Sequence, residues 1–117
     1  MSPMADRALL GEVEQLVLLA VLRLGDEAYA VPIRALIKDD AGVSLSRGTI
    51  YVTLERLERK GYLTSWFSDP VAVRGGKARR FFRLKSAGLA AVKTSKRAVD
   101  RLAEGTIVAP RNAAKKA

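Results

Sequence analysis

The apolar positions change their period along the chain, and each period predicts an element. Leu9, Val13, Leu16, Ala20 and Leu24 recur at spacings of three and four, which predicts a helix over residues 8–24. Val17, Leu18, Val21 and Leu22 add apolar surface on its other sides. A helix that is apolar nearly all round is buried on more than one face, and in a short chain the second face points to a partner subunit. Gly25 and the segment "GDEAY" end it. Residues 30–39 predict a second, short helix. Pro32 is tolerated in its first turn, and Ile33, Leu36 and Ile37 form its buried stripe. "DDAGVS" reads as a turn broken at Gly42.

Ser46 is the expected N-cap of a third helix that runs to Lys60 and is closed by Gly61. Ile50, Leu54 and Leu57 lie at i, i+4 and i+7 and give its inward face. Gly48, Thr49, Val52, Arg56 and Arg59 are turned outward, with Arg47, Tyr51 and Thr53 on the flanks. Glu55 and Arg59 are spaced to pair along the helix. Two strand-like runs follow, "GYLTSWF" and "RRFFRLK", joined by "SDPVAVRGGKA", as in a hairpin with a long tip. A last helix is expected from Ser86 to about Ala103. Its narrow seam of Leu89, Val92, Val99 and Leu102 is interrupted by Ser95 and Lys96, and a narrow seam suits pairing with another helix. The tail "APRNAAKKA" has no apolar periodicity and is expected to be disordered.

Charge sharpens this picture. The chain has 117 residues, enough for one domain, with 21 Lys plus Arg against 12 Asp plus Glu, a net charge of +9. That excess favours polyanionic partners. It is concentrated between Val71 and Lys85, where Arg74, Lys77, Arg79, Arg80, Arg83 and Lys85 stand without an acid. There is no Cys and no His, which removes disulfides, thiolate and histidine catalysis and nearly all zinc sites. Asp39-Asp40 and Glu12/Glu14 have no nucleophile or metal partner nearby in sequence, so no enzyme, cofactor or metal site is expected. The start, "MSPMADRALLGEVEQ", carries acids where a signal peptide carries bases. The longest apolar run, Leu16 to Leu22, is too short for a bilayer. A cytoplasmic protein without a membrane partner is the expectation.

The order of three helices, a hairpin and a helix predicts a mainly α, α+β chain: a winged helix-turn-helix with a two-stranded wing and an additional C-terminal dimerisation helix. Residues 1–85 would form the DNA-binding domain, 86–105 the dimerisation helix and 106–117 a basic tail. Small residues at the start of the third helix let it sit deep in a major groove. There Arg47 and Thr49 reach base edges, while Ser46 and Tyr51 reach phosphates. Gly48, Val52 and Arg56 complete that surface, and Arg74, Lys77, Arg79 and Arg80 carry the wing's contact with the neighbouring backbone or minor groove. Tyr51 can instead pack along the helix flank, and Arg56 and Arg59 can be a solvated face beside Glu55 and Glu58. Trp66 reads as hairpin packing, with an effector pocket beside it as the alternative. The expected dimer surface is Leu16, Leu18 and Leu22 with Leu89, Val92, Val99 and Leu102.

The stretch "LSRGTIYVTLERLERKGYL" resembles the signature of the PadR-like transcriptional regulators, Leu-Ser-Pro-Gly-Thr-Leu-Tyr-x-x-Leu-x-Arg-Leu-Glu-x-x-Gly. "GGKARRFFRLKSAG" resembles that family's wing, Gly-x-x-Arg-Lys-Tyr-Tyr-x-Leu-Thr-x-x-Gly, and "LLGEVEQLVLLAVLRLGDEAYAVPIRALI" its opening two helices. The likeness covers about residues 9–103. It implies a winged-helix homodimer, made through the first and last helices, that binds near-palindromic operator DNA, usually as a repressor. Ser46, Gly48, Thr49 and Tyr51 match the DNA-facing signature, and Arg79 and Arg80 the basic wing. Arg47 stands where Pro is usual, and Phe81-Phe82 replaces a Tyr pair. Lys85 replaces a capping Thr, so Ser86 is expected to cap the last helix instead. The long C-terminal domain of some members is expected to be absent, and a small-molecule effector is left unassigned. A protein-interaction module, a sequence-indifferent DNA binder and a ligand sensor with a cavity at its dimer interface remain as other readings.

Overall fold

A computed structural model describes residues 9–68 and 78–107. Arg74, Lys77 and the tail from Ala109 lie outside the described residues. Helix α1 spans Glu12–Leu24. It starts later than residue 8 because Gly11 is the N-cap, with its N–H donated to Glu14 Oε1 at 2.9 Å. A short 3-10 turn over Gly25–Glu27 leads to α2, Ala30–Leu36. The second helix outruns the expected 39, continuing as a wider π-type turn over Ile37–Ala41 that stops at Gly42. Gly42 has φ +71°, a left-handed conformation that a Cβ would disfavour. Helix α3 spans Arg47–Arg59 with Ser46 as N-cap, as the sequence predicts.

Strands β1, Leu63–Phe67, and β2, Arg80–Leu84, form the antiparallel wing, with Leu63 opposite Leu84, Trp66 opposite Phe81 and Phe67 opposite Arg80. The pairing extends one step beyond the strands: Ser68 N–H donates to the Arg79 carbonyl at 2.8 Å, and Arg79 N–H to Ser68 Oγ at 2.9 Å. The other edge of β2 is also bonded. Phe82 N–H donates to the Ala28 carbonyl at 2.8 Å, and Tyr29 bridges Phe81. Helix α4 spans Ser86–Ala103. Its N-cap is Lys85, with no side-chain capping bond, so Ser86 is the first helical residue and not the cap.

The core gathers one face of every element. Val17, Leu18 and Val21 of α1 meet Ile33 and Ile37 of the second helix, Ile50, Leu54 and Leu57 of α3, Leu63 and Phe82 of the wing, and Val92 of α4. Period three to four put Ile50, Leu54 and Leu57 on one side of α3, and all three are fully buried. Two residues expected at a dimer surface belong to this core: Leu18 is 0% exposed and Val92 4%. Alternation on the wing places Leu63, Ser65 and Phe82 toward the body and Trp66, Phe81 and Arg83 on the outer face. The result is a winged helix-turn-helix followed by a long C-terminal helix. Among the described residues, no helix is long and apolar enough to cross a membrane.

Candidate nucleic-acid interface

The exposed end of α3 is built by its cap. Ser46 Oγ accepts the Thr49 N–H at 3.0 Å and donates to Thr49 Oγ1 at 2.9 Å, so one hydroxyl closes the helix and orients its neighbour. Arg34 of α2 donates from Nε to the Leu45 carbonyl at 2.7 Å and pins the turn that aims α3. Sequence patterning missed this contact, because nothing in a short amphipathic helix marks which arginine folds onto the following turn. Arg34, Val31, Arg47 and Tyr51 flank a cleft of about 190 Å³ between the two helices. On the opposite side, Ser46, Gly48, Thr49, Val52 and Arg56 border an open groove with Val13 of α1.

Ser46, Arg47, Gly48, Thr49, Tyr51, Val52 and Arg56 are all exposed, Val52 by 56%. All of them lie on the exposed side of α3, Arg47 and Tyr51 toward the cleft with α2 and the others toward the groove with α1. Thr53 does not belong to it: the residue expected on the flank is buried, 3% exposed. Gly48 is informative. It sits in regular helix, and a Cβ built on it would meet only Ser46 Oγ, at 3.9 Å. Neither backbone conformation nor packing calls for a glycine there. Glycine in a helix interior costs up to about 1 kcal/mol relative to alanine, and nothing among the described residues offsets that cost at Gly48.

Charge on this surface is uneven. No acid stands in the first turn of α3. Arg34, Arg47, Arg59 and Arg79 form no salt bridge among the described residues. Arg56 is 3.9 Å from the Glu14 carboxylate, a loose contact that leaves its guanidinium exposed. The Glu14 carboxyl group itself is held below its ordinary value. Burial alone would raise it, but hydrogen bonds from Lys60 and the Gly11 N–H and the charges of Lys60 and Arg56 outweigh burial.

The wing cations divide into two kinds. Arg79 is exposed and lies over the Tyr29 ring, 4.7 Å from its centroid. Arg83 lies over Trp66 at 4.8 Å and pairs with Asp26 at 3.1 Å, both partners exposed, so solvent weakens that pair. Arg80 points the other way. Its Nη1 meets Glu55 Oε2 at 2.5 Å, Nη2 meets Glu58 Oε1 at 2.6 Å and Nε meets Ser65 Oγ at 3.2 Å. Its guanidinium stays protonated even more firmly than usual, chiefly through the Glu55 hydrogen bond, against a smaller opposing effect of burial. Glu55 therefore pairs with the wing and not with Arg59 along its own helix. Trp66 stacks on Phe81, centroids 5.9 Å apart, and Phe81 meets Tyr29 edge-on at 5.2 Å, so the lone Trp packs the hairpin's outer face.

Of the expected dimer residues, Leu22, Val99 and Leu102 are exposed, Leu102 by 86%, while Leu16 and Leu89 are half-buried. Ser95, which interrupts the seam, is buried and accepts the Leu10 N–H at 2.9 Å, fastening the segment before α1 to α4. Among the described residues, no group of three or more His, Cys, Asp or Glu could hold a metal ion.

A profile of the transcriptional regulator PadR-like family matches residues 18–94. Over 62 residues the chain is 44% identical to a transcriptional regulator of Mycobacterium tuberculosis. That stretch is 53% of this chain and 54% of the relative, so the match spans about half the length of each protein. The fold is similar to that of a transcriptional regulator from Clostridium thermocellum, with a TM-score of 0.67 at 21% identity, covering 79% of this chain and 86% of that one. It is also similar to that of Bacillus subtilis PadR in complex with operator DNA. There the TM-score is 0.57 at 22% identity, over 70% of this chain and 46% of that one.

Proposed function

This chain belongs to the PadR-like family of transcriptional regulators, and from that premise we propose that it binds operator DNA in a sequence-specific manner as a homodimer, acting as a repressor. The observation that carries the reading is Gly48. A glycine that the described fold does not require lies between exposed Thr49 and Arg47, which forms no salt bridge among the described residues, at the tip of α3. A base pair's edge is the kind of neighbour that needs that space. Thr49 and Arg47 then face bases, Ser46 and Tyr51 the adjoining phosphates, and Arg79 the backbone beside the wing. The Bacillus subtilis relative with operator DNA supports the same use of the fold.

Leu22, Val99 and Leu102, with Leu16 and Leu89 beside them, are the surface offered to a second copy in the cytoplasm. Two α3 helices related by a two-fold axis would face half-sites about 34–36 Å apart on a near-palindromic operator. Selection of genomic fragments by the purified protein tests the reading directly. Enrichment of one inverted repeat over random competitor at fixed salt is expected. Recovery of fragments with no shared sequence would leave only sequence-indifferent DNA binding, and recovery of none would remove the reading altogether.

A further inference from the structure

The second arginine of the wing does not face outward with the first. Along β2 the side chains alternate, and Arg80 lies opposite Phe67 on the body side of the hairpin. Each nitrogen group of its fork has a partner: Glu55 and Glu58, one turn apart on α3, and Ser65 on β1. Ser65 Oγ in turn approaches both Glu58 oxygens, at 3.0 and 2.9 Å. The guanidinium also stands over the Phe82 ring, 5.1 Å from its centroid, and its side chain is only 25% exposed. Helix, first strand and second strand thus meet at one planar cation.

We propose that Arg80 is a positioning residue that fixes the angle between wing and recognition helix, and that it screens two helix acids from DNA without touching the duplex. The inference rests on the DNA-binding reading for its second half only; the first half concerns the free protein. The geometry uses a planar fork whose three nitrogens reach Glu55, Glu58 and Ser65 separately, a shape that the compact ammonium of lysine does not reproduce. A phosphate contact, by contrast, is largely served by any cation. Without Arg80, Glu55 and Glu58 would present unneutralised charge on the helix that enters the groove, and the wing would lose its tie to α3.

The experiment combines Arg80→Ala, Arg80→Lys and the pair Glu55→Gln with Glu58→Gln in a mutant cycle, read by affinity for a random-sequence duplex across a salt series. Trp66, the single tryptophan, lies on the wing and reports its local motion by time-resolved fluorescence anisotropy in the free protein. Arg80→Ala should weaken DNA binding by about tenfold in the native background and by less than about twofold without the two acids. Arg80→Lys should behave like Arg80→Ala, the salt slope should stay unchanged, and Trp66 should depolarise faster in both. Equal losses in both backgrounds would mean a phosphate contact, and a lysine variant that binds like the native protein would mean that the charge alone suffices; either result overturns the proposal. If the native protein binds no DNA, the DNA reading fails by itself, and Trp66 decides alone: unchanged anisotropy in Arg80→Ala and Arg80→Lys overturns the brace. If Arg80→Ala does not fold, Arg80→Lys distinguishes brace from phosphate contact by the same measurements.

Discussion

Glu14, in the first turn of α1, accepts a hydrogen bond from Nζ of Lys60, the C-cap residue of α3, at 2.8 Å. The same carboxylate takes the Gly11 N–H through its other oxygen. One buried acid therefore closes the start of the first helix and holds the end of the third. Aspartate or glutamate at a helix start is also favoured by the helix dipole.

Stability should consequently depend on acid. The folded-state value of Glu14 is lowered from 4.5, so its contribution is fully present above that value. It is lost as pH falls through the lower folded-state value. Thermal melts of Glu14→Gln and the native protein should differ near neutral pH and converge in strong acid. A constant difference at all pH values would show that Glu14 acts through packing alone.

Gly88 marks a close approach of α4 to the wing. A Cβ there would lie 2.4 Å from the Tyr62 carbonyl oxygen and 3.1 Å from Leu84 Cδ1. Alanine is favoured in a helix by about 1 kcal/mol, but a backbone oxygen cannot give way as a side chain can. Gly88→Ala should destabilise by about 1–3 kcal/mol in denaturant unfolding. A gain in stability would contradict the contact.

Gly48→Ala should show the opposite stability effect. The added methyl group meets open space, so folding should be favoured by about 0.4–1 kcal/mol, while affinity for the selected operator falls. A variant that is more stable and binds as well as before would remove Gly48 from the DNA surface. Thr49→Ala and Arg47→Ala should each cost about 1–3 kcal/mol on the operator and less on random duplex. Equal costs on both would mean these residues position the protein without reading sequence.

Arg79 is exposed and forms no salt bridge among the described residues, and the proposed reading gives it the phosphate contact of the wing. Arg79→Ala should weaken binding to all sequences alike and reduce the slope of log affinity against log salt by roughly 0.9. An unchanged slope would take Arg79 off the backbone.

Association should depend on Val99 and Leu102. Val99→Lys with Leu102→Lys should shift sedimentation toward a monomer and weaken operator binding together, without lowering monomer stability, since both side chains already face solvent. A native protein that sediments as a monomer at micromolar concentration would exclude the dimer. Val92 cannot serve this test, because a polar residue there would strike the core.

Much of this architecture is legible in period and punctuation. Ser46, the Ile50–Leu54–Leu57 face and the Gly61 stop define α3 locally, and local signals are enough. The parts that are not legible depend on long-range placement. Periodicity marks Leu18 and Val92 as apolar but cannot say whether their neighbour is the same chain or another copy. Arg79 and Arg80 look alike in sequence, and only strand alternation with the Phe67–Arg80 register sends one outward and the other onto α3. Ser95 reads as a flaw in an apolar seam until the Leu10 N–H is seen to need it. Gly88 closes the wing motif inside the expected last helix with no local reason for a glycine, and its reason is a carbonyl 26 positions earlier.

The bonds on both edges of β2 have a mechanical consequence. With β1 along one side and the Ala28 carbonyl along the other, the stem of the hairpin is built into the body of the molecule. It works as a spoke and not as a hinged flap. The connection between the first two helices, β2 and, through Arg80, α3 are therefore joined by one continuous series of bonds.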